Sequence, residues 1–296
     1  MNAAPPANRI ASIRQRLLDR ARSRGEEFQF VLDRFAVERL LYRLSQSVHR
    51  DEFVLKGAML FALWFDQPHR PTRDADFLGF GPPDAERLAG TIRQLCTIDA
   101  DDGLSYDTNS IVVTSIREEA RYDGLRASLL ARLGNARCTV QWDVGFGDAV
   151  TPAALQMPFP TLLDDMPAPE LRVYPRETVF AEKLEAIAQL GIANSRMKDY
   201  FDLLTLVREG TIDPTELANA VRATFERRGT PIPVSPPFGL SRAFAQDAQK
   251  NAQWRAFLKR NRLMAPDLEV AVAEIRDYVT LLDTSPCRAC PVPRTT

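Results

Sequence analysis

Two aspartates separated by one residue, Asp74 and Asp76 in Arg70-Pro71-Thr72-Arg73-Asp74-Ala75-Asp76-Phe77, restrict this chain more than any other feature. On an extended strand, residues two apart project from the same face. Two carboxylates at one strand end repel each other unless a cation sits between them. Mg²⁺ suits that arrangement, because it takes a few carboxylates and completes its shell with phosphate oxygens. The fold must then present a strand end whose polar face opens onto a place for a metal. A second constraint lies upstream. Phe53-Val54-Leu55 reads as a strand, Lys56-Gly57 as a turn, and Ala58 through Trp64 as a helix, over 57–65. The unpaired N–H groups and dipole at such a helix start favour an anion. Asp-x-Asp alone is common at solvated turns, and a glycine before a helix is usually only a turn. In this order and at this spacing, the two halves describe a site that joins a metal to phosphates.

The rest of the composition narrows the alternatives. At 296 residues the chain has room for one large domain or two ordinary ones. Hydrophobic residues at 45% and charged residues at 26% give the balance of a soluble globular protein. The formal net charge of −1 selects no partner. No apolar run approaches membrane-spanning length, so no membrane partner is expected. Met1-Asn2-Ala3-Ala4-Pro5-Pro6 has no signal-peptide core, and a cytoplasmic location is expected. The four cysteines give no disulfide framework. Cys96 and Cys138 read as core residues. Cys287 and Cys290 lack a second pair, and His49 and His69 lie far away, so a reduced tail is expected there. With two histidines and no Gly-x-Ser-x-Gly, a hydrolytic triad is hard to build. There is no Walker loop, and Gly145-Phe146-Gly147-Asp148 falls short of a dinucleotide fingerprint.

Periodicity places the elements. Residues 1–7 read as disordered. Residues 8–25 and 29–48 read as helices, the second carrying Val31, Leu32, Phe35, Leu40, Leu41 and Leu44 at helical spacing. Strand 52–55, the helix at 57–65 and strand 75–80 follow. Asp84 is a candidate cap for a helix over 84–98. Three strands are expected near 108–117, 122–132 and 136–146, with Asp123-Gly124 and Gly134-Asn135 as hairpin turns. Alternation in Thr139-Val140-Gln141-Trp142-Asp143-Val144 can put Asp143 on the sheet edge that carries Asp74 and Asp76. Residues 147–170 read as an irregular, Pro-rich crossover. From Pro175 onward the pattern is helical: one helix to the break at Gly191–Ser195, then 196–208, 214–228, 241–261 and 266–283. The expected organisation is α+β. N-terminal helices (1–50) precede a mixed-sheet domain (51–170), then a helical C-terminal domain completing the site (171–284) and a flexible tail (285–296).

A second charged constellation lies in the helical half. Lys183 falls on a core-facing stripe four residues from Val179 and Ile187, which is costly unless its ammonium meets an anion. The bland reading is a lysine that snorkels to the surface. Asp199 and Asp202, in Asn194-Ser195-Arg196-Met197-Lys198-Asp199-Tyr200-Phe201-Asp202, are one helical turn apart on one face.

These segments resemble the AbiEii/AbiGii family of nucleotidyltransferase toxins of type IV toxin–antitoxin and phage-defence operons, whose core is similar to the DNA polymerase β superfamily. The resemblance is carried by Phe53-Val54-Leu55-Lys56-Gly57-Ala58, Arg70 to Phe77, Asp143 to Asp148, Glu177 to Glu185 and Asn194 to Leu203, in family order. Arg34 to Ser45 is also family-like. The matching segments all lie between residues 34 and 203. It implies a nucleotidyltransferase-like mixed sheet followed by a helical domain. It also implies transfer of a nucleoside monophosphate from an NTP to an acceptor hydroxyl, with Mg²⁺ or Mn²⁺.

The resemblance further implies roles. Asp74 and Asp76 would hold the metal, with Asp143 as a third carboxylate. Lys56, Gly57 and Ala58 would position the triphosphate. Lys183 would contact phosphates and Asp199 would be the acid paired with it, with Asp202, Arg196 and Lys198 in secondary places. One departure stands out. The superfamily usually has Gly or Ser where this chain has Ala58, and loss of a Ser hydroxyl removes one phosphate ligand. For the acceptor, Arg14, Arg16 and Arg20 are candidate RNA contacts on an arginine-rich first helix. Further basic residues cluster at Arg222, Arg227 and Arg228, and from Arg255 to Arg262. Ordinary solvated helix faces would look the same. The resemblance points to a tRNA 3′ end as acceptor and to an antitoxin protein or antitoxin regulator as partner. A transferase acting on a protein or small molecule, and a non-catalytic nucleotide-binding module, are the alternatives.

Overall fold

The structure is a computed structural model, and it describes residues 7–65, 70–118 and 122–282. The segments 1–6 and 285–296 expected to be disordered or flexible, with Cys287 and Cys290, and His69, lie outside the described residues. The chain forms two compact units. The first comprises Met1–Asp148 and Ala153–Tyr174, the second Ala149–Pro152 and Pro175–Thr296.

The first unit begins with two helices, α1 (Ala7–Arg24) and α2 (Phe28–Ser45). Strand β1 (Phe53–Lys56) then runs into a 3₁₀ turn, Gly57–Leu60, and a single α turn, α3 (Phe61–Trp64). The expected 57–65 helix is therefore broken into two short pieces, and its dipole is correspondingly small. Next come β2 (Ala75–Gly79), α4 (Ala85–Cys96), β3 (Leu104–Glu118), β4 (Tyr122–Leu133), β5 (Ala136–Phe146), β6 (Leu155–Pro158) and β7 (Glu170–Val173). They make a seven-stranded sheet in the order β3-β4-β5-β2-β1-β7-β6. It is mixed: β2 pairs with β5 and β1 with β7 in parallel, and the other neighbours are antiparallel. This is the expected α+β mixed sheet.

Strict alternation explains how that sheet is covered. In β4, Leu125, Ala127, Leu129, Ala131 and Leu133 are buried, as are Cys138, Val140, Trp142 and Val144 in β5. The residues between them lie on the opposite, open face, as antiparallel sheets allow. Two expectations shift. Asp123 and Gly124 sit inside β4, paired with Arg117 and Ile116, and not in a hairpin turn. The irregular crossover contains the short edge strand β6 and runs into β7, whose four residues each are too few for period-two alternation to show. Asp84 caps α4 as expected, accepting from the Glu86 and Arg87 amides at 2.9 and 3.1 Å.

Helix α2 is less amphipathic than its leucine stripe implies. Arg39 and Arg43 are buried at 0% and 3% exposure. Arg43 grips Asp102 through Nη1 (2.5 Å) and Nη2 (3.1 Å), and Arg39 donates to the Pro167 carbonyl at 2.8 Å. Glu38 accepts from the Leu162 amide at 2.6 Å. Burial pushes the Glu38 carboxyl up to about 7, against the lowering effect of that bond and of Arg39. These long-range polar partners are what let α2 bury its arginines.

The second unit holds α5 (Arg176–Leu190), α6 (Met197–Glu209), α7 (Pro214–Arg228), α8 (Arg242–Gln246), α9 (Ala248–Asn261) and α10 (Leu268–Thr280). The single helix expected over 241–261 is split at Asp247, whose side chain caps α9 through the Lys250 amide at 2.9 Å. Asp213 caps α7, with Pro214 in its first turn. Phe180, Ile187, Tyr200, Leu203, Phe244, Trp254 and Ile275 are among its buried core side chains. Cys96 and Cys138 are free thiols, and burial pushes them to about 11 and about 12, so both stay protonated. Among the described residues, no helix is long and apolar enough to cross a membrane.

Candidate active site

The carboxylates rest on an aromatic floor. Phe53, Phe77 and Trp142 lie on the covered face of β1, β2 and β5, with ring centroids 4.7 to 6.0 Å apart. Phe77 therefore turns into the core, and Asp76, its neighbour on β2, turns to the opposite face. Asp74 lies in the bend immediately before β2, two residues from Asp76, and its charge, like that of Asp76, reaches Arg126.

Register then assembles a row of charges that the sequence did not reveal. Lys56 on β1 pairs with Asp76 on β2, Asp76 with Asp143 on β5, and Asp143 with Arg126 on β4. Cross-strand partners share a face, so the row reads plus, minus, minus, plus across four strands. Asp143 thus reaches the sheet position expected of it. Its carboxylate, however, is held by Arg126, with Nε to Oδ1 at 2.8 Å and Nη2 to Oδ2 at 2.6 Å. Hydrogen bonding to Asp143 raises the Arg126 pKa against a lowering by burial, and the charges of Asp143, Asp74 and Asp76 add to the rise. Asp74 and Asp76 thus act on Arg126 electrostatically. Among the described residues, no three His, Cys, Asp or Glu side chains come together as a metal-holding group.

Gly57 has two reasons to be glycine. Its φ is +75°, and a Cβ built there would lie 2.7 Å from Asp76 Cγ and overlap the carboxylate. The backbone turn and Asp76 thus approach each other as only glycine permits. The Lys56 ammonium, expected at the phosphates, lies 2.9 Å from Asp148 Oδ2 in a pair whose side chains are 9% and 8% exposed. It passes over Gly145, where a Cβ would stand 3.5 Å from Nζ, and 5.8 Å from the Tyr174 ring centroid. Ala58 is buried at 6% exposure.

The helical unit carries the other constellation. Lys183 does not snorkel. Its ammonium donates to Asp199 Oδ1 at 2.9 Å and Asp202 Oδ2 at 2.7 Å, both carboxylates being 0% exposed. Arg196 Nε lies 2.6 Å from Asp199 Oδ2. Burial pushes the Asp199 carboxyl up, but Lys183 and Arg196 outweigh it and hold the group below the usual aspartate value. Both aspartates meet Lys183, so Asp202 is as close to the lysine as Asp199. Lys198 is exposed.

The first helix is less free than its arginines suggest. Arg16 pairs with Asp165 at 2.6 Å, while Arg9 pairs with Asp101 at 3.0 Å. Arg20 is half-buried, and burial first, then Arg24 and Arg34, lowers its pKa. Arg14 is exposed and lies 6.0 Å from the Phe28 ring. Arg126 and Asp148 were the residues missed by sequence reasoning. The alternation in β4 put Arg126 on the polar face, but only strand register pairs it with Asp143.

Residues 39–281 match the family described as "Nucleotidyl transferase AbiEii toxin, Type IV TA system". No curated protein matches the chain. Among solved structures, it is similar to JHP933 from Helicobacter pylori at 16% identity and TM-score 0.47, covering 85% of this chain and 90% of the other. A second H. pylori protein, provisionally described as a nucleotidyltransferase, matches at 17% identity and TM-score 0.47, covering 85% and 93%. At those scores the structural likeness carries no argument of its own.

Proposed function

The chain belongs to the AbiEii family of nucleotidyl transferase toxins of type IV toxin–antitoxin systems, and from that premise we propose that it transfers a nucleoside monophosphate from an NTP to a tRNA 3′ end. Asp74 and Asp76 hold a Mg²⁺ ion in this reading. The observation that carries it is the Asp76 carboxylate set against a glycine turn with no room for a side chain, with Asp74 in the bend two residues before it. Hard carboxylate oxygens are the donors Mg²⁺ prefers, with phosphate oxygens and water completing the shell. Bound there, the ion would lower the pKa of an acceptor hydroxyl and offset charge on the attacking and leaving oxygens.

The chain's own residues do the rest. The backbone N–H groups of the Gly57 turn receive phosphate oxygens in place of the hydroxyl that Ala58 lacks. Lys56, paired with Asp148, holds that turn in shape. Lys183 offsets charge on the phosphates, as such groups do in transition states, and Asp199 keeps it oriented, with Asp202 sharing that task. Arg14, exposed on α1, contacts RNA, with Arg20 beside it and Arg16 joining once Asp165 releases it. The family implies an antitoxin partner, and a protein antitoxin or antitoxin regulator in the cytoplasm completes the reading.

A second reading, a nucleotide-binding module without transfer, is favoured by Ala58 and by the engagement of Asp143 with Arg126. The test incubates the full chain with Mg²⁺, each of the four labelled NTPs, and purified tRNA or total protein. Label should enter tRNA from one preferred NTP, and Asp76→Asn should remove it. Label in protein would move the assignment to another acceptor. Nucleotide binding without any label would favour the second reading.

A further inference from the structure

Asp143 has two competitors for one carboxylate. On one side its in-register neighbour is Asp76, and a cation between them would draw Asp143 inward. On the other side its in-register neighbour is Arg126, which occupies both carboxylate oxygens at 2.8 and 2.6 Å. A bidentate arginine–carboxylate fork is among the stronger polar contacts a side chain can make. Gln141 adds a third donor to Oδ1 at 3.3 Å.

A structural role alone accounts poorly for this fork. The Arg126 side chain is 43% exposed and that of Asp143 16%. A cross-strand ion pair on an open sheet face contributes roughly 0–1 kcal/mol. Its one strong consequence is local: it fixes which way the Asp143 carboxylate faces, beside the two aspartates of the proposed metal site.

We infer that Arg126 is a positioning residue that withholds Asp143 from the divalent metal, leaving two carboxylate ligands at rest and three once the ion outcompetes the arginine. This rests on the nucleotidyl-transfer reading above, since it takes Asp74 and Asp76 as the resident ligands. It assigns Arg126 no contact with the reacting atoms. Arg126 acts through Asp143 by setting the metal affinity of the site.

The test is Mn²⁺ binding to the full chain, without nucleotide or RNA, followed by the electron-spin signal of the free ion. Arg126→Lys keeps the charge and removes the fork. Mn²⁺ should bind several-fold tighter to this variant, roughly three- to tenfold, because a lysine cannot hold both oxygens. In an Asp143→Asn background the same replacement should change nothing, since the two residues act as one unit. Arg126→Ala should tighten binding further, and thermal melting should show each variant folded, as expected for a half-exposed side chain. Unchanged or weaker Mn²⁺ binding in Arg126→Lys overturns the inference. So does an equal change in both backgrounds, which would mean that Arg126 does not act through Asp143. Asp74→Asn separates the two layers. If it abolishes Mn²⁺ binding while Arg126→Lys is silent, only the role of Arg126 fails. If Mn²⁺ binds neither the wild-type chain nor Arg126→Lys, or binds independently of Asp74, the metal reading fails as well.

Discussion

In the sheet unit, Asp76 and Asp143 stand side by side on an open face, flanked by Lys56 and Arg126 at the ends of a row. In the helical unit, Asp199 and Asp202 are wholly buried around a single ammonium, with Arg196 against Asp199. Both groups combine two carboxylates with two cations, yet their physics differs. A charge left partly in water, as Arg126 is at 43% exposure, can exchange partners at less cost than a buried one. Charges taken fully out of water depend on the partners they have, and removing one leaves an uncompensated ion. The first arrangement has a half-exposed arginine that can be displaced, and the second holds two helices, α5 and α6, in one geometry.

That contrast makes its largest prediction for single substitutions. Asp74→Asn and Asp76→Asn should reduce transfer to background while costing at most about 1 kcal/mol of stability, since both side chains are only half-buried and asparagine keeps their shape. Gly57→Ala should also lose transfer, by displacing Asp76. Lys183→Ala and Asp199→Ala should lose transfer too, but with a stability loss of about 3–5 kcal/mol, since each strands buried charge. Urea unfolding alongside transfer assays checks this. A Lys183→Ala chain as stable as wild type would erase the contrast, and the lysine would be a dispensable surface cation.

The pH dependence should divide the units next, with opposite signs. Asp199 has a lowered native pKa, so its contribution is present above the ordinary aspartate value of about 3.9 and is lost as pH falls through the lowered one. Glu38 in α2 behaves the other way. Its native value is about 7 against 4.5 ordinarily. Between those values the native state holds a proton that the unfolded chain has released, so stability falls as pH rises. The full effect is about 3 kcal/mol. Glu38→Gln should remove the decline between pH 5 and pH 7 and leave the acid limb untouched. An identical stability profile in the variant would mean that Glu38 is already ionised at neutral pH.

The smallest prediction treats the units alike. Asp84 and Asp213 each cap a helix start with two amide bonds. Alanine at either position should cost about 1 kcal/mol and leave Mn²⁺ binding unchanged. A fall in Mn²⁺ affinity on Asp84→Ala, without a matching fall in melting temperature, would tie α4 to the site and blur the comparison.

Much of this was legible without coordinates. The strands expected near 122–132 and 136–146 match β4 and β5, and alternation over 139–144 put Asp143 on the polar face of β5, in register with Asp76. Asp84 and Pro175 marked helix starts by their own backbone chemistry, since caps and proline act within one turn. Gly57 was singled out as a turn before its closeness to Asp76 was known. Where the reading slipped, the signal was too short or was outweighed. The strands β6 and β7 span only four residues each, and the helix after Gly57 gave way to a 3₁₀ turn. Asp123-Gly124, a turn dipeptide by type, was drawn into β4 by pairing with β3.

Sequence by itself determined what repeats or acts locally: the α+β order, the buried alternation, the caps, and the residue types able to hold a metal and phosphates. Tertiary structure alone decided which charges meet. Arg126 holds Asp143, Lys56 holds Asp148, Arg43 holds Asp102, and Lys183 takes both Asp199 and Asp202. The physical reason is range. Periodicity and capping follow from bonds a few residues long, whereas an ion pair depends on strand register and helix packing between residues far apart in the chain, which no local pattern encodes.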